Sequence, residues 1–304
     1  MGARPLVVVA LGGNALARRG EPLDAARQRA RVRAAAQHLS ALARAHRLVV
    51  THGNGPQVGL LALQAAALPG VAPTPLDVLG AESEGMLGDW IEQELENALP
   101  GAEVATLLTQ VEVDPADPAF GRPTKPIGPV YSEAQARRLA AELGFAMAPD
   151  GAGLRRVVAS PEPRRIVELR TLALLVRADV LVVCSGGGGI PVVRGADGAL
   201  RGVEAVIDKD LSAALLATGL GAERLVLLTD VPAVYADWPE PRRRPLRRVR
   251  ASELDPAAFD AGSMAPKLEA ARRFVAAGGR SAHIGALEDA LAVSRGDSGT
   301  EISA

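Results

Sequence analysis

The sequence predicts an α/β protein built on a mainly parallel sheet covered by helices. Three observations predict it. Short Val- and Leu-rich runs alternate with longer stretches of helical periodicity, the rhythm of successive βαβ units. Hydrophobic residues fill 48% of the 304 positions but aromatics only 3%, so the core must be Ala, Val, Leu and Ile packed in layers, as in buried parallel strands. Glycine-rich turns follow several of the apolar runs, the place where open α/β sheets bind ligands.

Strand candidates, in order, are 6–11, 47–51, 104–111, 180–184, 204–207, 225–229 and 282–285. An apolar run without alternation signals a strand buried on both faces. One helix opens at Ser132 with Gln135 three residues on, the reciprocal pattern that satisfies two orphan backbone amides. Another is expected to begin near Pro161 and to carry Ile166, Leu169, Leu172, Ala173 and Val176 at helical spacing as core residues. The rhythm breaks between Val111 and Tyr131. Pro115, Pro118, Pro123, Pro126 and Pro129 exclude an interior strand or helix there. With Lys125 at its middle, the segment is read as a projecting arm or lid over a site.

Lys and Arg together number 34, yet only Lys125, Lys209 and Lys267 are lysines. Each stands beside Pro or Asp where regular structure starts or stops, in GRPTKPIG, VIDKDL and GSMAPKL. A compact ammonium on a flexible stem suits a crowded phosphate better than arginine's planar fork. The net charge of −1 excludes a general affinity for nucleic acid or anionic lipid. The run RRRPLRR at 242–248 carries a proline and no interleaved aromatics, so it is read as a solvated loop. Cys184, the sole cysteine, ends an apolar run and is expected to pack there; a reducing compartment fits. The apolar stretch at 6–11 is too short for an export signal or a membrane span. The expectation is a cytoplasmic protein with neither nucleic acid nor membrane as partner.

The densest motifs sit where strand candidates end. VVVALGGNAL places Gly12, Gly13 and Asn14 after the first, and RLVVTHGNGPQVG places His52, Gly53, Asn54, Gly55 and Pro56 after the second. VLVVCSGGGGIP places Gly186, Gly187, Gly188 and Gly189 after a later one. Glycine lets backbone N–H groups approach an anion, so three such turns can converge on one phosphate group and its acceptor. Asn14 and Asn54 add side-chain donors. His52 is either a satisfied loop histidine or a base that needs an acidic partner. No lysine follows a glycine, which excludes a Walker A loop. The tetraglycine runs into Ile190 and Pro191, which disfavours a dinucleotide fingerprint. Asp208, Lys209 and Asp210 follow the apolar run at 204–207; strand-like alternation there would turn Lys209 away from both acids, leaving one acid to fix a neighbouring lysine.

Together these segments resemble the carbamate kinase family of the amino-acid kinase superfamily. The resemblance rests on ALGGNAL at 10–16, THGNGPQVG at 51–59, SEGMLGDW at 83–90, PTKPIGPVYSEAQA at 123–136, RRVVASPEPRRIVE at 155–168, SGGGGIPV at 185–192, VIDKDLSAALLA at 206–217, LTDVPAVY at 228–235, GSMAPKLEAA at 262–271 and GTEI at 299–302. It implies a three-layer αβα sandwich over 1–304. An N-lobe of about 1–200 would serve the small acceptor and a C-lobe of about 201–304 the nucleotide, with a small protruding subdomain at about 112–160. Gly12, Gly13, Asn14, Gly53, Asn54, Gly186, Gly187 and Gly188 would then surround carbamate and the transferred phosphoryl group. Lys125, Lys209 and Lys267 would contact phosphate oxygens, with Asp210 organising the lysines. Thr229, Asp230, Tyr235 and Met264 would hold ATP or ADP together with Lys267.

The implied reaction is ATP plus carbamate giving ADP and carbamoyl phosphate, reversibly, with Mg²⁺ on the phosphate oxygens and no protein metal ligand assigned. The family also implies a homodimer and ATP production during arginine or other amino-acid breakdown. The chain departs from the family pattern at Asp89, where an aromatic is usual, and at Pro232 and Ala233 on the nucleotide side. The alternatives are another kinase of the superfamily with a different small acceptor, and a non-catalytic nucleotide-binding sensor.

Overall fold

The computed structural model describes residues 4–17, 21–67, 70, 72–237, 243–260 and 262–304. Its central sheet has eight strands in the order Arg248–Arg250, Thr300–Ser303, Ser281–Ala286, Arg224–Thr229, Leu6–Leu11, Arg47–His52, Leu181–Cys184 and Val104–Leu107. All neighbouring pairs are parallel except Ser281–Ala286 with Thr300–Ser303. Successive side chains of a strand face opposite ways. Leu6, Val8 and Ala10 enter one core with Leu216, Leu268 and Phe274 from the helices Lys209–Leu220 and Met264–Ala276. Val7, Val9 and Leu11 enter the other with Leu39, Leu87 and Val293 from the helices Ala25–Ala45, Leu76–Ala98 and Ala290–Arg295. Helices thus cover both faces, which gives the expected three layers. Each fully buried Val or Leu contributes roughly 1.5–3 kcal/mol, and the first strand is buried along its whole length.

From the first strand the chain crosses to Arg47–His52 on one side and later returns to Arg224–Thr229 on the other. The strand order reverses at that point, and the crevice beyond the carboxyl ends is where such sheets bind ligands.

The proline-rich segment contributes the strand Lys125–Tyr131 to a separate three-stranded sheet with Gly153–Val158 and Met147–Asp150. Lys125–Tyr131 is an edge strand, the position in a sheet where prolines such as Pro126 and Pro129 are tolerated. The helix Glu133–Leu143 follows it and carries the anticipated reciprocal cap between Ser132 and Gln135. Ile127 is buried with Val58, Leu76 and Leu79, so the arm is docked on the helices Gly55–Ala66 and Leu76–Ala98. Gly128 has φ +71°, and a Cβ built on Gly59 would stand 1.9 Å from the Gly128 Cα. The helix and the arm touch backbone to backbone.

Several expectations need correction. The run at 104–111 breaks after Leu107, and Gln110–Val113 joins a different, four-stranded sheet with Ile190–Arg194, Leu200–Gly202 and Pro163–Ile166. The segment 204–207 forms no strand, although Ala205, Val206 and Ile207 are buried; Val206 N–H bonds the Ala159 carbonyl instead of a ladder partner. The helix expected near Pro161 starts at Leu169, because Pro163–Ile166 pairs with Gln110–Val113. Leu172 and Val176 do enter the core. Of the arginine run, Arg242 lies outside the described residues. Arg243, Arg244, Arg247 and Arg248 are exposed, but the run is not all loop, since Arg244–Leu246 pairs with Val234–Ala236 and Arg248–Arg250 with Thr300–Ser303. Cys184 is buried and burial raises its thiol pKa. No helix among the described residues is long and apolar enough to cross a membrane.

Candidate active site

The three glycine turns meet at the reversal point of the sheet. Gly12 N–H donates to the Leu228 carbonyl at 2.9 Å, seating the first turn on the end of the neighbouring strand, and Gly53 N–H donates to the Leu11 carbonyl at 3.0 Å. A Cβ on Gly53 would lie 3.0 Å from the Gly13 nitrogen. Gly187, at φ +67°, lies against Asn54, whose Nδ2 would be 2.1 Å from an added Cβ. A Cβ on Gly188 would stand 2.6 Å from the Ile207 carbonyl oxygen, next to Asp208. The turns therefore form one continuous wall from Gly12 to the start of the helix Lys209–Leu220. The side chain of Asn14 lies outside the described residues. Asn54 does not stand free as a donor, because its Nδ2 holds the Ser83 hydroxyl at 2.8 Å.

Ser185, entering the third turn, has φ +53°, a left-handed conformation that costs a non-glycine residue about 1 kcal/mol or more. Four neighbours hold it there. Thr51 Oγ1 donates to its carbonyl at 2.7 Å, its N–H donates to Thr109 Oγ1 at 3.0 Å, and its hydroxyl pairs with Ser212 at 2.9 Å. Glu84 accepts from the next amide, Gly186 N–H, at 2.9 Å.

Against this wall stand the three lysines. Asp208 caps the helix Lys209–Leu220, its Oδ1 accepting from the N–H groups of Asp210 at 2.9 Å and Leu211 at 3.2 Å. Helical rather than strand geometry at Lys209 overturns the alternation expected for IDKD. Lys209 Nζ reaches Asp210 Oδ1 at 2.7 Å, and Lys267 Nζ reaches Asp210 Oδ2 at 3.2 Å and the Ser263 carbonyl at 3.3 Å. Lys125 Nζ, from the arm, donates to Asp208 Oδ2. Two carboxylates thus gather three ammonium groups from distant parts of the chain, leaving one net positive charge.

Burial is deep: the side chains of Lys209, Lys267 and Asp210 are 11%, 10% and 6% exposed. Burial alone would raise the Asp210 pKa, but Lys209 and Lys267 outweigh it and hold the carboxyl well below its usual range. Burial, with Lys267 close by, lowers the Lys209 pKa. For Lys267 the desolvation is overcome by Asp210, with help from Asp208 and Asp230, and its pKa rises.

On the nucleotide side, Thr229 ends its strand beside Gly12 and its hydroxyl donates to Asp230 at 3.1 Å. Asp230 acts on Lys267 electrostatically. Met264 opens the helix that carries Lys267. Tyr235 lies in the two-stranded ladder opposite Pro245, with the Arg243 guanidinium 5.5 Å from its ring centre.

Glu84 escapes assignment in the sequence, and Asp208 is there only one of two acids able to fix a neighbouring lysine; both fall inside quoted motifs. His52 is buried and its pKa is pushed down to about 4 by desolvation. Among the described residues its Nε2 has no hydrogen-bond partner and no acid orients it, so it does not fit the role of a base. Glu84 is buried under the third turn and its pKa is pushed up to about 8, by burial first, against the backbone amides that it accepts from.

That shift has a stability consequence. Between about pH 4.5 and 8 the folded chain keeps a proton on Glu84 that the unfolded chain has released, so stability falls as pH rises through that window. His52 and His283, both lowered from 6.5 to about 4, act oppositely, and their contribution is lost as pH falls from 6.5 to 4. Above pH 6.5 only Glu84 of the three still titrates. Stability is expected to decline between pH 6.5 and 8, and Glu84→Gln to flatten that decline. Urea denaturation at both pH values checks it; identical slopes in the two proteins would count against the buried acid.

A parallel sheet carrying glycine turns and clustered lysines at its reversal point defines a phosphoryl-transfer class of protein, and the Amino acid kinase family model matches residues 5–286. The carbamate kinase of Rhizobium meliloti (strain 1021) is 52% identical over 300 residues, covering 98% of this chain and 93% of its own. A carbamate kinase from Giardia lamblia bound to citric acid superposes with a TM-score of 0.92 at 41% identity, over 100% of this chain and 99% of that one. The same Giardia protein bound to AMP-PNP gives 0.89 at 41%, with the same coverage. The chain belongs to the carbamate kinase family.

Proposed function

We propose that the chain catalyses reversible phosphoryl transfer between ATP and carbamate, giving ADP and carbamoyl phosphate. The observation that carries this reading is the set of three lysines held by Asp208 and Asp210 against the wall of glycine turns, within a chain similar to carbamate kinases along its whole length. Carbamate already bears a negative oxygen, so no residue has to remove a proton from the nucleophile. This agrees with a site where His52 is buried and, among the described residues, has no acid to orient it.

What remains is to align two anions that repel each other and to spread the charge of the moving phosphoryl group over fixed cations and amides. Gly12, Gly53, Gly186 and Gly188 spend their N–H groups within the protein and would shape the turns, while Gly13 and Gly187 would present backbone N–H groups to carbamate and the phosphoryl oxygens. Lys209 and Lys267, held by Asp210, would neutralise those oxygens, and Lys125 would approach from the arm. Thr229, Asp230, Tyr235 and Met264 would line the nucleotide side, beyond the N-lobe that takes carbamate. In this reading the arm is the subdomain over the site, the nucleotide occupies the C-lobe, and the enzyme works as a homodimer in the cytoplasm.

Mg²⁺ would come with the nucleotide. Among the described residues no cluster of three His, Cys, Asp or Glu side chains could hold a metal ion, and Asp208 and Asp210 are committed to lysines. Such a site fits a hard cation carried mainly on phosphate oxygens and water. When bound, it would offset charge on the nucleotide phosphates.

The direct test is ATP formation by the purified protein from ADP and carbamoyl phosphate. ADP binding without ATP formation would leave a sensor, and transfer to another small acceptor in a substrate panel would leave a different kinase.

A further inference from the structure

We infer that Asp208 is the positioning residue for Lys125, fixing the arm's ammonium in register with the helix that bears Lys209 and Asp210. The inference rests on the phosphoryl-transfer reading above and adds a residue to it. The two oxygens of Asp208 have separate tasks. Oδ1 is fully used as a helix cap, accepting from Asp210 and Leu211 N–H. Oδ2 points the other way and takes Lys125 Nζ across 83 positions of sequence. One carboxylate therefore ties the first turn of the helix Lys209–Leu220 to the first residue of the arm's edge strand.

The surroundings make this a joint and not a passing surface pair. Asp208 is 9% exposed. Val206, two residues before it, bonds Ala159 just beyond the arm's strand Gly153–Val158, and Thr124 N–H bonds the Val158 carbonyl. The strand on which the arm returns thus meets the chain at the approach to Asp208, beside the strand that carries Lys125. A lysine has four rotatable side-chain bonds, and the cost of ordering them falls on whichever state fixes the ammonium. Asp208 fixes it before a phosphate arrives, so a phosphate oxygen replacing Oδ2 finds Lys125 already in place.

Capping and charge separate experimentally. Asn and Ser both cap helices through a side-chain oxygen, and neither carries the charge that holds Lys125. Asp208→Asn is expected to melt close to the wild type yet lose about tenfold in turnover, within the range for a coupled contact. The arm should also be cut faster by protease in the ligand-free variant. Lys125→Ala is expected to lose more, and Asp208→Asn on top of Lys125→Ala to add much less than tenfold, because beyond that lysine the acid acts only through its weaker electrostatic pull on Lys209 and Lys267. If Asp208→Asn folds poorly, Asp208→Ser serves in the same cycle.

Losses that multiply in the double variant, or unchanged turnover and cleavage in both cap-preserving variants, overturn the inference alone. A wild-type protein that makes no ATP from ADP and carbamoyl phosphate overturns the functional reading and the inference with it.

Discussion

Lys267→Ala is expected to lower turnover at least about hundredfold, the usual cost of removing one electrostatic donor from a transferring group. The side chain is nine-tenths buried and spends its ammonium on Asp210 and the Ser263 carbonyl, so no neighbouring cation can swing into its place without abandoning another partner. Lys209 would remain on Asp210, and the carboxylate would stay ionised with one partner fewer. The variant should therefore fold, with a somewhat lower melting temperature, and fail chiefly in kcat. Steady-state ATP formation and a thermal melt separate the two effects. Lys267→Arg is the sharper companion. The planar fork is too wide for a site closed around a single nitrogen, so arginine should be nearly as damaging as alanine. Near-normal rates with arginine would defeat the point-charge argument, and unchanged turnover in a folded alanine variant would remove Lys267 from the chemistry.

Gly59→Val carries the second large effect. In an exposed helix, replacing glycine removes a propensity penalty of up to about 1 kcal/mol. Here the new Cβ would fall 1.9 Å from the Gly128 Cα and 2.2 Å from its nitrogen, and backbone atoms cannot rotate aside. Gly128 holds φ +71° at the bulge of the edge strand, so it has little freedom to retreat. The clash outweighs the propensity gain, and a loss of about 3 kcal/mol or more is expected, at the upper end for overpacking. If the core survives and the arm detaches instead, Lys125 leaves the site and turnover falls while the arm becomes protease-sensitive. Denaturant melts and limited proteolysis distinguish the two routes. A variant with wild-type stability, turnover and cleavage would show that the two backbones are not in contact.

How much of this was legible depended on the range of the interactions involved. The strands Leu6–Leu11, Arg47–His52, Leu181–Cys184, Arg224–Thr229 and Ser281–Ala286 lie in the sheet interior and are largely buried, so their Val and Leu runs announce them. The cap between Ser132 and Gln135 spans three residues and needs nothing else. The run at 104–111 misled because its two halves pair in different sheets, a choice made by Leu181–Cys184 and Ile190–Arg194 far along the chain. Pro126 and Pro129 concealed a strand that only its edge position permits. At the site, residue types marked the lysines and the glycine turns. Their arrangement was hidden: Asp208 meets Lys125 across 83 positions and Glu84 meets Gly186 across 102. Nothing local in VIDKD or SEGM says which acid will face which partner.

Every lysine of the chain stands in this one cluster. Apart from the α-amine, an acylating reagent therefore has no amine target elsewhere on the molecule. Lys125, with a side chain 29% exposed, is open to attack, while Lys209 and Lys267 are sheltered at 11% and 10%. The protein carries its own chemical tag, and the mass added by acylation reports occupancy of the cluster without any engineered label.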